Sequence, residues 1–206
     1  AWLFASLDFE KQQSEDCLFI NIIKPSKIDN GSLPVMVWFH GGGYNFGNGD
    51  GLYITDRFAK RDVILVTMNY RLGPFGFFAH PLLSETSKMG VSGNYGTLDQ
   101  IQALKWVQTN IHLFGGDPDN VTIFGESAGG ASVETLVSTK LAKDLFHKAI
   151  AQSGYTVGRA RNIKEPRGDL ISAESLGEKF FHSISGIDNP CLLYTSDAAD
   201  DTNRVG

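Results

Sequence analysis

Val121-Thr122-Ile123-Phe124-Gly125-Glu126-Ser127-Ala128-Gly129-Gly130-Ala131-Ser132-Val133 is the stretch on which the fold turns. Its first four residues are β-branched or aromatic and predict a short buried strand. The residues after Gly129 are small and then amphipathic as far as Val137, which predicts a helix. Between them stands a G-x-S-x-G pentapeptide. A serine at the apex of a sharp strand-to-helix turn presents its hydroxyl outward, and small neighbours let strand and helix approach closely. In a chain with 23 glycines the pentapeptide alone is weak, and its strand–turn–helix setting raises it. Ser127 is therefore a candidate nucleophile, to be activated by a general base, set against the bland reading of a turn serine.

A second segment belongs to the same chemistry. Leu33-Pro34-Val35-Met36-Val37-Trp38-Phe39-His40 is an apolar strand running straight into Gly41-Gly42-Gly43-Tyr44. Acyl transfer needs fixed N–H donors aimed at a developing oxyanion, and main-chain amides serve without reorganisation. A glycine run bares those amides because no Cβ blocks the approach. The candidate donors are the N–H groups of Gly42, Gly43 and Ala128, with Gly41 permitting the turn. A phosphate-binding loop is the competing reading. It lacks the Lys-Ser/Thr pair, the G-x-G-x-x-G spacing and a following amphipathic helix. HGGG followed by G-x-S-x-G is the pairing found in lipases and esterases of the α/β-hydrolase fold.

With these residues in view, the chain resembles the type-B carboxylesterases, the family that includes cholinesterases and many bacterial esterases. The resemblance spans about residues 14 to 188. Ser14-Glu15-Asp16-Cys17-Leu18-Phe19-Ile20-Asn21-Ile22-Ile23-Lys24-Pro25 is similar to the family's N-terminal signature. Phe114-Gly115-Gly116-Asp117-Pro118, continuing through Val121 to Gly129, is similar to its serine signature. Asn69-Tyr70-Arg71-Leu72-Gly73 and Gly93-Asn94-Tyr95-Gly96-Thr97-Leu98-Asp99-Gln100 also look like family segments. The resemblance implies an α/β-hydrolase fold with a mostly parallel central sheet and flanking helices. It also implies hydrolysis of small-molecule carboxylic esters through an acyl-enzyme, without a cofactor. An acidic residue beside the serine is common in the family, so Glu126 either favours the imidazolium formed in catalysis or is held locally as a partly buried carboxylate. Ser153 resembles a position that supports the site from the end of the next strand, and equally reads as a strand-terminal turn residue.

The alternation of short apolar runs with helical stretches independently predicts a parallel or mostly parallel sheet. Candidate strands cover residues 17–23, 35–40, 63–69, 121–125 and 148–152. Leu98, Ile101, Leu104, Val107 and Ile111 recur at helical spacing over 98–111, and Leu176, Phe180 and Ile184 do so over 172–184. Residues 115–120 are dense in turn-formers and read as a loop. No linker or internal repeat is visible, so residues 1–190 read as one partial domain, cut at both ends. Residues 191–206 begin Cys191-Leu192-Leu193-Tyr194-Thr195-Ser196-Asp197-Ala198-Ala199-Asp200, which looks like a translated sequencing adapter; a plain surface tail is the alternative.

Composition excludes several classes. A net charge of −5 without charge blocks argues against nucleic acid as a partner. No apolar run reaches the ~18 residues of a membrane span. The start on Ala1, with no leader-like segment, leaves localisation open, and a secreted or periplasmic setting is favoured only slightly over the cytoplasm. If the tail is foreign, Cys17 is the native cysteine, read as a buried thiol or as the partner of a cysteine outside the chain, which the resemblance implies for secreted members. The five histidines show no metal-ligand spacing, so no metal is expected. In this fold the acid and histidine follow the serine. His147 precedes a strand, at the end away from the turn. His182 sits at a polar helical position, and His40 reads as a loop-orienting residue. The resemblance places both missing groups far downstream, so this chain alone is expected to be nearly inactive. A non-catalytic binding protein or pseudoenzyme on the same fold is the alternative for the parent.

Overall fold

A computed structural model describes residues 14–28, 32–154 and 161–185. They fall into two compact units, one built from residues 17–77 and 94–154, the other from residues 14–16, 78–93 and 161–185. The tail at 191–206 lies outside the described residues.

The first unit is a five-stranded sheet in the order β1-β3-β2-β4-β5. Its strands are β1 (Ile20–Ile23), β2 (Leu33–Phe39), β3 (Ile64–Met68), β4 (Gly116–Glu126) and β5 (Lys148–Gln152). Only β1 is antiparallel, against β3; the other three pairings are parallel. All five predicted strands form. The turn-rich stretch at 115–120 departs in part from the loop expectation. Gly116 pairs with Leu33 and so opens β4, while the regular ladder resumes only at Val121 opposite Val35. In between, Asp119 donates its N–H to the side chain of Asp117, a local turn set into the strand.

The core face of this sheet follows strand alternation. Val35, Val37 and Phe39 of β2 and Val121 and Ile123 of β4 are fully buried, and β3 is buried throughout. Helix α1 (Gly73–Phe77) is a short turn after β3, α3 (Tyr95–Asn110) packs Ile101, Leu104 and Val107 onto the core, and α4 (Ala128–Ser138) adds Val133 and Leu136. Each such side chain contributes roughly 1.5–3 kcal/mol by leaving water. Leu98, expected on the buried face of α3, is 40% exposed instead. It lies in the first turn, where the helix enters from Asn94 in a left-handed conformation (φ 60°).

The second unit holds α2 (Pro81–Thr86) and α5 (Ala173–Ser185). Here the predicted apolar stripe is rotated. Leu176, Phe180 and Ile184 are exposed, and Glu174, Gly177 and Phe181 face inward. Gly177 explains the rotation: a Cβ there would lie 1.8 Å from the carbonyl oxygen of Ala79, so α5 seats by its backbone at that point. Glu174 is accommodated by accepting a hydrogen bond from Ser84, itself joined to Ser92.

Candidate active site

Ser127 stands between the last residue of β4 and the first of α4, at φ 55° and ψ −120°. A non-glycine residue held there is strained by about 1–3 kcal/mol, and such strain persists where surrounding structure over-determines it. The determinants are local. The N–H of Ser127 donates to the carbonyl of Gln152 at the end of β5 (2.9 Å), and its own carbonyl accepts from Ala131 (2.9 Å). In the first turn of α4, a Cβ on Gly129 would sit 2.0 Å from the carbonyl oxygen of Phe39, so only glycine lets the helix press onto β2. No described residue hydrogen-bonds the Ser127 hydroxyl.

The glycine loop comes up against this turn. A Cβ on Gly41 would lie 3.3 Å from Cβ of Ser127 and 3.1 Å from a carboxylate oxygen of Glu126. Gly42 (φ 109°) and Gly43 (φ 61°) take left-handed backbone, which Gly42 could not keep with a side chain because Phe46 O would be 2.0 Å away. The carbonyl of Gly42 accepts from Asn45 and Phe46. The N–H groups of Gly42, Gly43 and Ala128 have no acceptor among the described residues, so all three are free to serve an added anion.

His40 anchors the start of the loop. It is 1% exposed and stacks on Tyr70 with ring centroids 4.3 Å apart. Its Nδ1 lies 2.8 Å from Gly41 O, so the proton resides on Nδ1 and Nε2 is left as a buried acceptor without a partner. Burial lowers its pKa to about 4, only partly offset by the bond to Gly41. A neutral, enclosed imidazole fits the loop-orienting reading. Tyr70, whose phenol burial keeps protonated, donates to His40 O at 2.6 Å. Gly73 N donates to Tyr44 O at 2.6 Å. Arg71 makes a two-pronged ion pair with Asp99 (2.9 and 2.8 Å), and Asp99 also takes the main-chain N–H of Arg71. The segment 69–73, recognised in the sequence without a role, is therefore a strut beneath the glycine loop.

The remaining candidates are less engaged. Glu126 ends β4 opposite Gln152. Burial, followed by the Glu126 charge, holds the Tyr53 phenol above its usual range. Ser153 lies at the end of β5 but is exposed and at φ 51°. The tie to the nucleophile from that strand is made by the carbonyl of Gln152, a partner that no side-chain pattern signals. His147 accepts the N–H of Val121 through Nδ1 (3.2 Å), midway along β4 and six residues before Ser127. His182 lies on α5 in the second unit. Among the described residues, no group of three or more His, Cys, Asp or Glu side chains could hold a metal, and no helix is long and apolar enough to cross a membrane.

A parallel sheet with a strained serine at a strand-to-helix elbow, beside a glycine loop of open amides, defines an α/β-hydrolase. The chain belongs to the carboxylesterase family, whose profile matches residues 3–179. It is 46% identical over 175 residues to the fumonisin B1 esterase of Sphingopyxis macrogoltabida, covering 84% of this chain and 31% of that protein. It is 52% identical over 145 residues to the para-nitrobenzyl esterase of Bacillus subtilis (strain 168), covering 69% and 29% respectively. Among solved structures, a PNB esterase superposes with a TM-score of 0.73 at 46% identity, covering 86% of this chain and 35% of the other. The juvenile hormone esterase of Manduca sexta, with OTFP covalently attached, gives 0.75 at 34% identity, covering 92% and 35%. The chain thus spans about three-tenths of the length of these curated relatives.

Proposed function

We propose that the protein carrying this chain hydrolyses small-molecule carboxylic esters through an acyl-enzyme. Ser127 Oγ attacks the ester carbonyl while a histidine takes its proton. The oxyanion that develops is received by the N–H groups of Gly42, Gly43 and Ala128, and the alcohol leaves with a proton from that histidine. Water then attacks the acyl-serine by the same route in reverse and releases the acid. The observation that carries the reading is the strained backbone of Ser127 set against a glycine loop whose amides have no acceptor among the described residues. A binding surface has no use for either feature. Within this reading Glu126, whose carboxylate lies at the base of the loop, favours the imidazolium by its charge, and Ser153 is a supporting residue at the end of β5.

The histidine and its acid are assigned to sequence beyond the described residues, for which the greater length of the relatives leaves room. Turnover of an activated aryl ester by the full-length protein tests the assignment. Ser127→Ala is expected to lower kcat by at least about 10⁴-fold with the fold intact. The 206-residue chain alone is expected to show no more than residual turnover, because it offers oxyanion stabilisation without a base. Esterase-like rates from a Ser127→Ala protein would refute the nucleophile.

A further inference from the structure

The loop bearing Gly42 and Gly43 and the helix bearing Ala128 are joined by three side chains not yet given a role. Tyr44 follows Gly43 directly, at φ 62°. Its ring packs on Phe77 (4.7 Å) and edge-on to Tyr70 (6.4 Å), and its phenol oxygen lies 3.3 Å from Ser132 Oγ. Ser132 is 2% exposed and stands one helical turn after Ala128, with its Oγ 3.1 Å from the Ala128 carbonyl. Gln100, fully buried on α3, donates from Nε2 to Ser132 Oγ at 2.9 Å.

Ser132 Oγ is the hub of the set. Ser132 has one hydroxyl proton and two lone pairs. Its proton is shared between the Ala128 carbonyl and the Tyr44 phenol oxygen, and a lone pair takes the Gln100 amide. Gln100 Oε1 is left buried without a partner. An orphaned buried acceptor is unfavourable for stability, and an apolar residue of similar size would avoid it. The amide at position 100 thus has a use other than filling space, and what it touches is the hydroxyl that links loop to helix.

We propose that Tyr44, Ser132 and Gln100 are positioning residues that hold the Gly42 and Gly43 amides in register with the Ala128 amide. The inference rests on the reading that these three amides receive the oxyanion. A hole assembled from two separate elements stabilises the transition state only when both halves meet the same oxygen, and a displacement of an ångström removes much of the benefit. None of the three side chains touches the reacting atoms.

The test uses the full-length protein with Tyr44→Phe, Ser132→Ala, the pair together, and Ser127→Ala. Each single variant is expected to lower kcat for a p-nitrophenyl ester roughly 10-fold while KM stays within about twofold. Affinity for a trifluoromethyl ketone, which becomes a tetrahedral oxyanion on attack by the serine, is expected to fall by the same factor. The double variant should be little worse than the poorer single, since both sever one link. Tyr44→Phe removes a single oxygen and keeps the ring packing, so it guards against failure to fold. A lowered thermal midpoint with unchanged kcat and ketone affinity would overturn the proposal and leave these residues purely structural. If Ser127→Ala is inactive while Tyr44→Phe matches the parent in both readouts, this proposal alone fails. If Ser127→Ala turns over normally, the oxyanion reading falls and takes the proposal with it.

Discussion

His40 carries the clearest link between a single residue and solution conditions. In the unfolded chain its imidazole takes a proton near the ordinary value of 6.5, whereas in the folded protein burial delays protonation to about 4. Between those values the unfolded state binds more protons, so stability rises with pH. The contribution is complete above 6.5, declines as pH falls, and is exhausted below about 4. Its size is about 3 kcal/mol. Denaturant titrations at pH 7.5 and pH 4 are expected to show this loss, and His40→Gln should flatten that part of the profile; an identical slope in the variant would remove His40 from the account. At this scale the sequence was highly legible where side-chain types cluster, as in the pentapeptide around Ser127 and the glycine run. Gln152 escaped notice because it acts through its carbonyl, which every residue possesses. Ser153 drew attention in its place, being the neighbour with a hydroxyl.

Elements carry a different lesson. Helix α3 begins three residues before its first periodic apolar position, and Asp99 in its early turns is committed to Arg71. Asp99 accepts three hydrogen bonds from one arginine, and its side chain is only 8% exposed. Loss of the carboxylate strands a partly buried guanidinium, and the 27% exposure of the Arg71 side chain tempers the penalty through solvent. Asp99→Ala is expected to destabilise the protein by about 2 kcal/mol, read from urea unfolding, with Arg71→Ala in the same background adding little. Full additivity of the two would show that the pair does not act as a unit. Strand positions were legible because burial on one or both faces imposes its own residue types. The register of α5 was not. The decisive contact there is a glycine against a main-chain oxygen, and hydropathy assigns no weight to that.

For the molecule as a whole, the sheet closes on one side with antiparallel β1 and, among the described residues, ends on the other with β5. All five residues of β5 are exposed, including Ile150 at 46%. An uncovered strand edge offers main-chain donors and acceptors to another chain. The 206-residue chain purified by itself is therefore expected to associate as concentration rises. Ile150→Lys, which places a charge on that strand, should raise the onset concentration severalfold by light scattering. An unchanged onset would mean that association, if present, uses another surface. The grouping of residues 78–93 with 161–185 left no trace in composition, since neither segment is set off by a linker or a shift in charge.

The bond from Ser127 N–H to Gln152 O gives the nucleophile a clock of its own. That amide proton can exchange with deuterium only when the last rung between β4 and β5 opens, so its exchange rate times the parting of β5 from β4 at the reactive residue itself. Whatever stiffens β5 will slow that clock, and a ligand seated on the serine hydroxyl need not touch the strand to be heard there.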